Sequence, residues 1–380
     1  MYYNRLAERL LGEYISQFRV VGVMGPRQSG KSTLVKQLLG DRYVYVNFDN
    51  IELRNLYYTD PVAFMRKYNQ HVIFDEVQQM PDIFQRIKEI VDNNPEERGQ
   101  FVLTGSGQFL LSKNISESLA GRIGLISLLP MQYKEGPKSL QETFVINGGF
   151  PELLSGSFKQ THNFFNAYVN TYVQKDLRQM LNIVDINAFT LMLKLLAARV
   201  GQQLNLSDIA KETGITVSTL SKWVSVLEAS FIIFLLKPFY ANIGKRLVKT
   251  PKVYFYDNGL LAFLTGIKTM EQWQDGVLYG ALFENLIISE TLKNIYHNGD
   301  TANLWYLRTS HGDEIDLIVE DGQKVSCVEI KASVTYKPVF HKTIEKLSLP
   351  FIEKNIVYQG DTQEVITGVT AKNYKEYLDF

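Results

Sequence analysis

The sequence predicts an α/β fold built around a parallel sheet, and three neighbouring segments are the basis of that prediction. Residues 18–24 form a short, apolar, β-branched run that is typical of a buried strand. Residues 25–32 are Gly-Pro-Arg-Gln-Ser-Gly-Lys-Ser, which matches the phosphate-binding pattern G-x-x-x-x-G-K-[ST]. Residues 33–39 have helical spacing and end at Gly40. A strand, a glycine-rich loop and a helix in this order predict a P-loop nucleotide-binding domain.

The loop contains the residue types that triphosphate binding needs. Gly25 and Gly30 have no Cβ, so backbone N–H groups can approach the phosphates closely. Lys31 is expected to contact the β- and γ-phosphates, and Ser32 is expected to ligate Mg²⁺. Because no guanine-reading N/T-K-x-D motif is present, ATP is the expected nucleotide. The expected nucleotide contacts are Gly25, Pro26, Arg27, Gln28, Ser29, Gly30, Lys31, Ser32 and Thr33.

A second apolar strand, residues 71–74, ends in two carboxylates, Asp75 and Glu76. Asp75 is positioned to hold Mg²⁺, directly or through water, and Glu76 is positioned to polarise the attacking water. An isolated Asp-Glu pair would instead be expected to cap the following helix. The strand before this pair favours the catalytic interpretation, because it belongs to the same domain as the phosphate loop. The domain is therefore predicted to hydrolyse ATP.

Two later segments supply further candidates. A third strand, residues 101–103, leads into Thr104 and Ser106, which could sense the γ-phosphate; a plain turn of small residues is the alternative. Arg122 precedes an apolar strand at residues 123–129 and is a candidate arginine finger within the chain or between subunits. A surface ion pair is the alternative for this arginine. An intersubunit role for Arg122 would require a homo-oligomer.

Composition narrows the class of protein. At 380 residues, with 45% apolar and 21% charged residues, the chain is typical of a soluble protein with two or three domains. The single cysteine, Cys327, excludes intrachain disulfides. The N-terminus lacks a signal-peptide core, and no run approaches the ~20 apolar residues of a membrane helix, so a cytoplasmic protein without a membrane partner is expected. The net charge is zero, so nucleic-acid binding would depend on local basic patches.

The chain is predicted to have three parts: an ATPase domain at residues 1–150, a helical connector with a winged helix at 151–265, and an α/β domain at 266–380. The turn-forming residues at 147–152 predict the first boundary. Helical spacing over 156–200, including a helix at Asn163 to Met180, predicts a lid or connector.

Residues 206–228 predict two helices separated by Gly214, which is a helix-turn-helix pattern. Strands at 231–236 and 252–256 would complete a winged helix. A DNA-binding version would place polar residues of the second helix in the groove and basic residues of the wing on phosphates. The second helix has only one basic residue, Lys222, so a rigid adaptor is the alternative. The groove candidates are Ser218, Thr219, Ser221 and Lys222, and the wing candidates are Lys245, Arg246 and Lys249.

The C-terminal part contains charged residues in apolar, strand-like surroundings. Residues 313–320 and 324–331 are predicted to pair through a hairpin turn at 321–322. Asp316 and Glu329 are then expected on neighbouring strands. A strand with a solvent-facing polar side is the alternative, but charges framed by apolar residues in such strands need a reason.

These residues predict a Mg²⁺-dependent phosphodiesterase site. Glu329 and Lys331 are two residues apart and therefore project from the same face of their strand. Asp316, Glu329 and the helical Glu284 are expected to hold the metal. Lys331 is expected to orient water and to stabilise the developing phosphate charge.

Taken together, these motifs resemble the bacterial and archaeal family of AAA-type ATPases that have a conserved C-terminal domain of unknown function. The resemblance implies an ATPase domain, a winged helix and, at 266–380, a domain similar to PD-(D/E)xK nucleases. Ile315 stands before Asp316 in place of the proline that gives these nucleases their name, and that proline is often absent in such nucleases. The motifs are GPRQSGKS at 25–32, FDEVQ at 74–78, LTGS at 103–106, LAGR at 119–122, GGFP at 148–151 and EIK at 329–331.

Two functions from different classes fit these motifs. The leading prediction is an ATP-hydrolysing protein that acts on DNA and uses its nucleotide state to control a Mg²⁺-dependent C-terminal nuclease. The alternative is an ATP-driven regulatory switch in which the winged helix is an adaptor and the C-terminal domain is non-catalytic. A helicase or translocase fits less well, because no further helicase motif accompanies the nucleotide site.

Overall fold

The computed structural model describes residues 2–105, 118–156, 160–173, 185–239, 250–309, 311–347 and 351–379. The chain divides into two units. The predicted three-part division, with its first boundary at residue 150, stays a prediction. The N-terminal unit comprises Met1–Met131, Ala229–Phe231 and Tyr296–Gly299, and the C-terminal unit comprises Gln132–Glu228, Ile232–Ile295 and Asp300–Phe380.

The N-terminal unit is built on a parallel sheet, which confirms the predicted α/β fold. Its strands are β1 (Val20–Met24), β2 (Val44–Asn47), β3 (Val72–Asp75), β4 (Phe101–Gly105) and β5 (Ile123–Ser127). Its helices are α1 (Ala7–Gln17), α2 (Lys31–Leu39), α3 (Ile51–Thr59), α4 (Pro61–Lys67) and α5 (Ile83–Asn93). The strand order is β2-β3-β4-β1-β5, and every neighbouring pair is parallel. The carboxyl ends of all five strands therefore lie at one edge of the sheet.

Apolar residues explain how this sheet is held. Strands β1, β3 and β4 are buried at every position, as expected for parallel strands covered on both faces. Phe74 on β3 stacks between Phe48 and Phe101, with ring centroids 5.3 and 5.8 Å apart. Helix α5 buries residues at three- and four-residue spacing, which places its apolar face on the sheet side: Ile83, Phe84, Ile87 and Val91.

The further α-helices of the described residues follow residue 131. They are α6 (Phe144–Asn147), α7 (Pro151–Leu154), α8 (Thr161–Tyr168), α9 (Ile186–Ala198), α10 (Leu206–Thr213), α11 (Val217–Ala229), α12 (Asn258–Thr265), α13 (Met270–Gln274), α14 (Tyr279–Asn298), α15 (Lys342–Leu347) and α16 (Tyr374–Leu378). A π-helix, Val169–Val173, continues α8. The rest of the helix expected up to Met180 lies outside the described residues. Gly214 ends α10 in a left-handed conformation, so the two helices of the predicted helix-turn-helix are present.

The C-terminal unit contains a mixed eight-stranded sheet. Its strands are β6 (Ile233–Pro238), β7 (Lys252–Phe255), β8 (Asn303–Arg308), β9 (Glu314–Asp321), β10 (Lys324–Ile330), β11 (Glu353–Tyr358), β12 (Gln363–Ile366) and β13 (Val369–Asn373). The order is β12-β13-β11-β10-β9-β8-β6-β7. Strands β6 and β7 pair antiparallel, as expected for a wing, but β6 also pairs parallel with β8. The two strands expected to form a separate wing are therefore the edge of the C-terminal sheet.

The segment expected to be a domain boundary, residues 147–152, packs within the C-terminal unit. The buried Asp257 carboxylate accepts hydrogen bonds from the backbone N–H of Gly149 at 2.7 Å and of Leu260 at 2.9 Å. A Cβ at Gly148, whose φ is 71°, would lie 2.3 Å from Asp257 Oδ1. The close approach of a buried carboxylate therefore requires glycine at residue 148, and burial raises the pKa of Asp257.

Candidate functional site

The phosphate loop joins the carboxyl end of β1 to α2, with Gly30 as the N-cap of the helix. The φ angles of Gly25 and Gly30 are 155° and 94°, which residues with a Cβ rarely adopt. A Cβ at Gly25 would lie 2.0 Å from the carbonyl oxygen of Leu128. The loop is therefore packed closely against the segment after β5, and the N-terminus of α2 can face an anion.

Lys31 is the buried cation of this loop. Its Nζ donates hydrogen bonds to the carbonyl oxygens of Gly25 at 3.0 Å and Pro26 at 2.7 Å. Burial lowers the pKa of Lys31 to about 8, although the charges of Glu76 and Asp75 oppose this shift. A bound triphosphate would offer the ammonium group a charged partner in place of the two carbonyls.

Ser29 and Arg5 extend the loop site. The Ser29 side chain is buried, and its Oγ has no hydrogen-bond partner in the structure. The buried guanidinium of Arg5 donates to the Ser29 carbonyl at 2.9 Å and to the Leu129 carbonyl at 2.8 Å. The Leu129 N–H in turn donates to His297 Nε2 at 3.1 Å. Sequence reasoning missed Arg5, because no local pattern links it to the loop.

Asp75 lies at the carboxyl end of β3, where neighbouring strands bring two hydroxyl groups to it. The Thr104 hydroxyl, at the end of β4, donates to Asp75 Oδ1. The Tyr45 hydroxyl, from β2, donates to Oδ2. Burial and the hydrogen bond to Asp75 raise the pKa of Tyr45. Thr104 thus lies beside the predicted metal-binding carboxylate, whereas Ser106 lies outside the described residues.

Glu76 directly follows Asp75 and adopts a left-handed backbone with φ of 53°. The side-chain amide of Gln78 donates to Glu76 Oε2. The Ser32 hydroxyl and the Asp75 carboxylate are oxygen donors of the kind that Mg²⁺ prefers, and these two residues would hold it. The charges of Asp75 and Glu76 both act on Lys31, so the structure brings the loop lysine and the two carboxylates together.

Arg122 lies at the amino ends of the parallel strands, opposite the carboxyl ends where the phosphate loop lies. It directly precedes β5, whose first residue pairs with Val20 at the start of β1. The five residues of β1 separate that edge from the phosphate loop by roughly 16 Å. Arg122 instead forms an ion pair with Asp92, with Nε and Nη2 at 2.6 and 2.8 Å from its carboxylate oxygens. The prediction that Arg122 reaches the phosphates within its own chain is therefore wrong; an intersubunit role stays a prediction.

The second candidate site lies on the β9–β10 hairpin. Lys324 pairs with Asp321 and Val328 with Leu317, which confirms the predicted hairpin. Continuing this register by one residue places Asp316 opposite Glu329. Asp316 Oδ2 accepts hydrogen bonds from the Ile330 N–H at 2.8 Å and from Lys331 Nζ at 3.5 Å. Three of the predicted residues are therefore brought together. Their exposure is low: Asp316 and Glu329 are both buried, and Lys331 is partly exposed.

Charges within this site affect one another. Lys331 Nζ lies 2.6 Å from Glu329 Oε1, whereas Glu329 Oε2 is buried and has no hydrogen-bond partner among the described residues. Burial and the neighbouring Asp316 raise the pKa of Glu329 to about 8. Burial opposes the charge of Lys331, but Asp316 and Glu329 raise its pKa above the usual value. An unpartnered carboxylate oxygen beside a second carboxylate fits a divalent cation that Asp316 and Glu329 would hold.

Glu284 is not arranged as the third ligand that the sequence predicted. Its Oε1 accepts a hydrogen bond from the Tyr254 hydroxyl at 2.5 Å and lies 3.3 Å from Lys252 Nζ. Lys252 Nζ also lies 2.5 Å from Glu314 Oε1. In the part of the chain that the structure describes, no three His, Cys, Asp or Glu side chains form a metal-binding group. Sequence reasoning did not identify Lys252 and Tyr254 as neighbours of this site. Lys252 is a charged residue in an apolar, strand-like run at 252–256, which is the same signal that identified Glu329.

The second helix of the helix-turn-helix presents a polar surface. Ser218, Ser221 and Lys222 are exposed, whereas Thr219 is partly buried and bonded to Thr216. The wing candidates Lys245, Arg246 and Lys249 lie outside the described residues. Among the described helices, none has the length and apolarity to cross a membrane.

Comparison with known families divides the chain into three matched stretches. Residues 17–136 match the family described as an AAA domain. Residues 138–271 and 279–377 match two families described as domains of unknown function, DUF8612 and DUF4143. The AAA match covers the phosphate loop, Asp75 and Thr104 and supports ATP binding and hydrolysis by an AAA-type domain. The last match covers Glu284, Asp316, Glu329 and Lys331.

Several relatives extend over most of the chain. An uncharacterized protein of Mycobacterium tuberculosis is 28% identical over 348 residues, which cover 90% of this chain and 77% of that protein. An uncharacterized protein of Haemophilus influenzae is 24% identical over 378 residues, with 90% and 89% covered. Among solved structures, the chain is similar to a Walker-type ATPase of Pyrococcus abyssi, with a TM-score of 0.47, 16% identity and 68% of this chain and 94% of that chain covered.

Proposed function

We propose that this chain is an ATPase that acts on DNA, and that its nucleotide state controls a Mg²⁺-dependent nuclease-like site in the C-terminal unit. The nuclease-like site is supported most directly by the convergence of Asp316, Glu329 and Lys331 at the ends of two paired strands. One buried carboxylate oxygen there has no hydrogen-bond partner in the described part of the chain. Nuclease chemistry needs such acidic oxygens beside a cation that stabilises phosphate charge.

In the ATPase site, the residues of this chain have separable roles. The loop backbone and Lys31 would bind the β- and γ-phosphates, and Ser32 and Asp75 would hold Mg²⁺. Thr104 and Tyr45 orient Asp75 through their hydroxyl groups. Glu76 would accept a proton from the attacking water or polarise it. When bound, Mg²⁺ neutralises charge on the phosphate oxygens.

In the C-terminal site, Asp316 and Glu329 would hold Mg²⁺, and Lys331 would contact the scissile phosphate. The Ile330 N–H fixes one oxygen of Asp316, so its carboxylate has a defined orientation. A bound divalent cation would supply Lewis-acid stabilisation of the phosphate. The partly exposed Lys331 is accessible from the surface, whereas the carboxylates lie beneath it.

The proposed DNA contact is the exposed surface of α11. Ser218, Ser221 and Lys222 face solvent and supply hydroxyl donors and one positive charge, which suits phosphate contacts better than a dense pattern of base contacts. We further propose a cytoplasmic protein, since its single cysteine needs no oxidising compartment. A homo-oligomer would be required if Arg122 acts on a neighbouring subunit.

The test is cleavage of plasmid and branched DNA by the purified full chain, with Mg²⁺ and with Mn²⁺. Asp316→Asn and Glu329→Gln are expected to abolish cleavage while ATP turnover stays unchanged. The matched control is Asp321→Asn, because Asp321 is an exposed carboxylate at the turn of the same hairpin. Cleavage that survives in Asp316→Asn would contradict the proposed nuclease site.

A regulatory switch is the second candidate, and one observation favours it. The carboxylates of the C-terminal site already have internal lysine partners, since Lys331 pairs with Asp316 and Glu329, and Lys252 pairs with Glu284 and Glu314. A folded remnant of a nuclease could be stabilised in this way. The switch would be supported if the chain turns over ATP without cleaving any DNA. It would be supported further if the Asp316→Asn variant binds the same partner as the natural chain.

A further inference from the structure

Lys252 places a buried positive charge beside the C-terminal carboxylates. It is the first residue of β7, and only 3% of its side chain is exposed. Its Nζ lies between two carboxylates, 2.5 Å from Glu314 Oε1 and 3.3 Å from Glu284 Oε1. It also lies 5.3 Å from the ring centroid of Tyr306. This lysine lies more than 60 residues before Asp316, Glu329 and Lys331 in the sequence.

A lysine in this position must be stabilised by its neighbours. Burying an ammonium group is costly unless opposite charges compensate it. Burial opposes the charge of Lys252, yet Glu284, Asp316 and Glu314 raise its pKa above the usual value. The lysine is therefore charged at neutral pH and acts as the counter-cation of at least two carboxylates.

The contacts of Glu284 show what this charge does to the site. Glu284 Oε1 is bonded to both Lys252 and the Tyr254 hydroxyl, and both residues lie on β7. Asp316 and Glu329 are instead bridged by Lys331. The acidic residues are thus divided into two groups, each with its own lysine, although Glu284 is near enough to Asp316 for that charge to raise its pKa.

We propose that Lys252 is a built-in counter-cation that holds Glu284 away from the Asp316–Glu329 pair and so keeps the affinity of the C-terminal site for divalent cations low. This inference rests on the proposed metal site of the nuclease-like function. It assigns Lys252 a positioning role: the lysine acts through Glu284 and does not contact the reacting atoms. Loss of its charge removes one of the two groups that hold Glu284 Oε1, and a divalent cation would then replace Lys252 as the counter-charge, with Glu284 as a third oxygen ligand.

The test measures Mn²⁺ binding rather than cleavage. The full chain without nucleotide is titrated with Mn²⁺, and free Mn²⁺ is followed by its electron paramagnetic resonance signal. Lys252→Met is expected to bind Mn²⁺ about tenfold more tightly than the natural chain, which corresponds to about 1.4 kcal/mol. Lys237→Met is the control, because Lys237 is an exposed lysine on the neighbouring strand β6.

Glu284 makes the test specific. Glu284→Gln alone is expected to change Mn²⁺ affinity less than twofold, because Glu284 is not a ligand while Lys252 holds it. In the double variant Lys252→Met/Glu284→Gln, the tenfold gain is expected to disappear. Lys252→Gln retains polar contacts without the charge and is expected to show the same gain as Lys252→Met, which covers the case in which the methionine variant does not fold.

Two results would overturn the proposed role of Lys252, and only the second would also overturn the proposed metal site. If Asp316→Asn abolishes Mn²⁺ binding but neither Lys252 variant binds more tightly, the role of Lys252 is wrong and the metal site stands. If Asp316→Asn leaves Mn²⁺ binding unchanged, the metal site of the proposed function is wrong, and the role of Lys252 falls with it.

Discussion

The guanidinium of Arg5 donates a hydrogen bond to the carbonyl oxygen of Ser29, 2.9 Å away in the phosphate loop. Its other terminal nitrogen bonds to the Leu129 carbonyl at 2.8 Å. Arg5 therefore ties the loop to the segment after β5, against which Gly25 is also packed. A loop fixed in this way keeps its N–H groups oriented before the nucleotide arrives, which reduces the entropy cost of binding.

Replacing Arg5 should weaken nucleotide binding. Arg5→Met removes both hydrogen bonds to the carbonyls, and we expect the Kd for a fluorescent ATP analogue to rise roughly tenfold, which corresponds to about 1.4 kcal/mol. Arg5→Lys should have a smaller effect, because one ammonium retains the charge but loses the two-pronged geometry. Arg9→Met is the control, since Arg9 forms an exposed ion pair with Glu13 on the same helix. Equal affinity in Arg5→Met and Arg9→Met would contradict this role.

Nucleotide binding should depend on pH through Lys31. Its pKa in the free protein is lowered to about 8, and phosphate charge favours the protonated form. Affinity should therefore be constant below pH 8 and fall as the pH rises above it, by up to tenfold per pH unit. Titrations of a fluorescent ADP analogue without divalent cation, from pH 6.5 to 9.5, measure this dependence. The fall should be absent in Lys31→Met, whose affinity is low throughout; an unchanged affinity of the natural chain across pH 8 would disprove the assignment.

The hydroxyl groups on Asp75 should control Mg²⁺-dependent turnover. Thr104→Val removes the hydrogen bond to Asp75 Oδ1. We expect a decrease of at least about tenfold in kcat and a higher Mg²⁺ concentration at half-maximal rate, as for other residues that orient metal ligands. Thr59→Val, at an exposed helix end, is the control. Both quantities are obtained from the rate of phosphate release over a series of Mg²⁺ concentrations. An unaltered Mg²⁺ dependence in Thr104→Val would refute the prediction.

Substitution by alanine should lower the free energy of unfolding more at Gly148 than at Gly214, a glycine with the same φ angle. Gly148 and Gly214 both have φ of 71°, but only at Gly148 would a Cβ meet a buried carboxylate, 2.3 Å away. Gly214→Ala should lower the free energy of unfolding by about 1–2 kcal/mol through backbone strain alone. Gly148→Ala should cost about 1–3 kcal/mol more, because Asp257 is held by two N–H groups and cannot withdraw. Urea unfolding of both variants measures the difference, and equal losses would show that Asp257 moves.

Local sequence patterns predicted the features that depend on neighbouring residues. The phosphate loop, the strand ending in Asp75 and the β9–β10 hairpin each lie within a short segment, so residue type and spacing were sufficient. Asp316 and Glu329 could be paired because the turn between them fixes the register. The two helices on either side of Gly214 were predicted for the same reason.

Long-range packing decided what the sequence could not show. Arg5, Tyr45 and Lys252 reach their sites from distant segments, and no spacing rule connects them to Ser29, Asp75 or Glu284. The sequence leaves an arginine finger and a surface ion pair open for Arg122, because the choice depends on which end of the parallel sheet this residue occupies. The sequence predicts β6 and β7 as a separate wing, because the pairing of β6 with β8 depends on residues about 70 positions later in the chain.

The most direct test of the central claim is the rate of DNA cleavage with and without ATP, measured in the natural chain and in Lys31→Ala. Binding that differs between two conformational states shifts their population, so nucleotide should change the cleavage rate of the natural chain. We predict that ATP changes this rate several-fold in the natural chain and has no effect in Lys31→Ala, which also loses ATP turnover. A cleavage rate that is the same in both proteins, with or without ATP, would contradict nucleotide control of the C-terminal site.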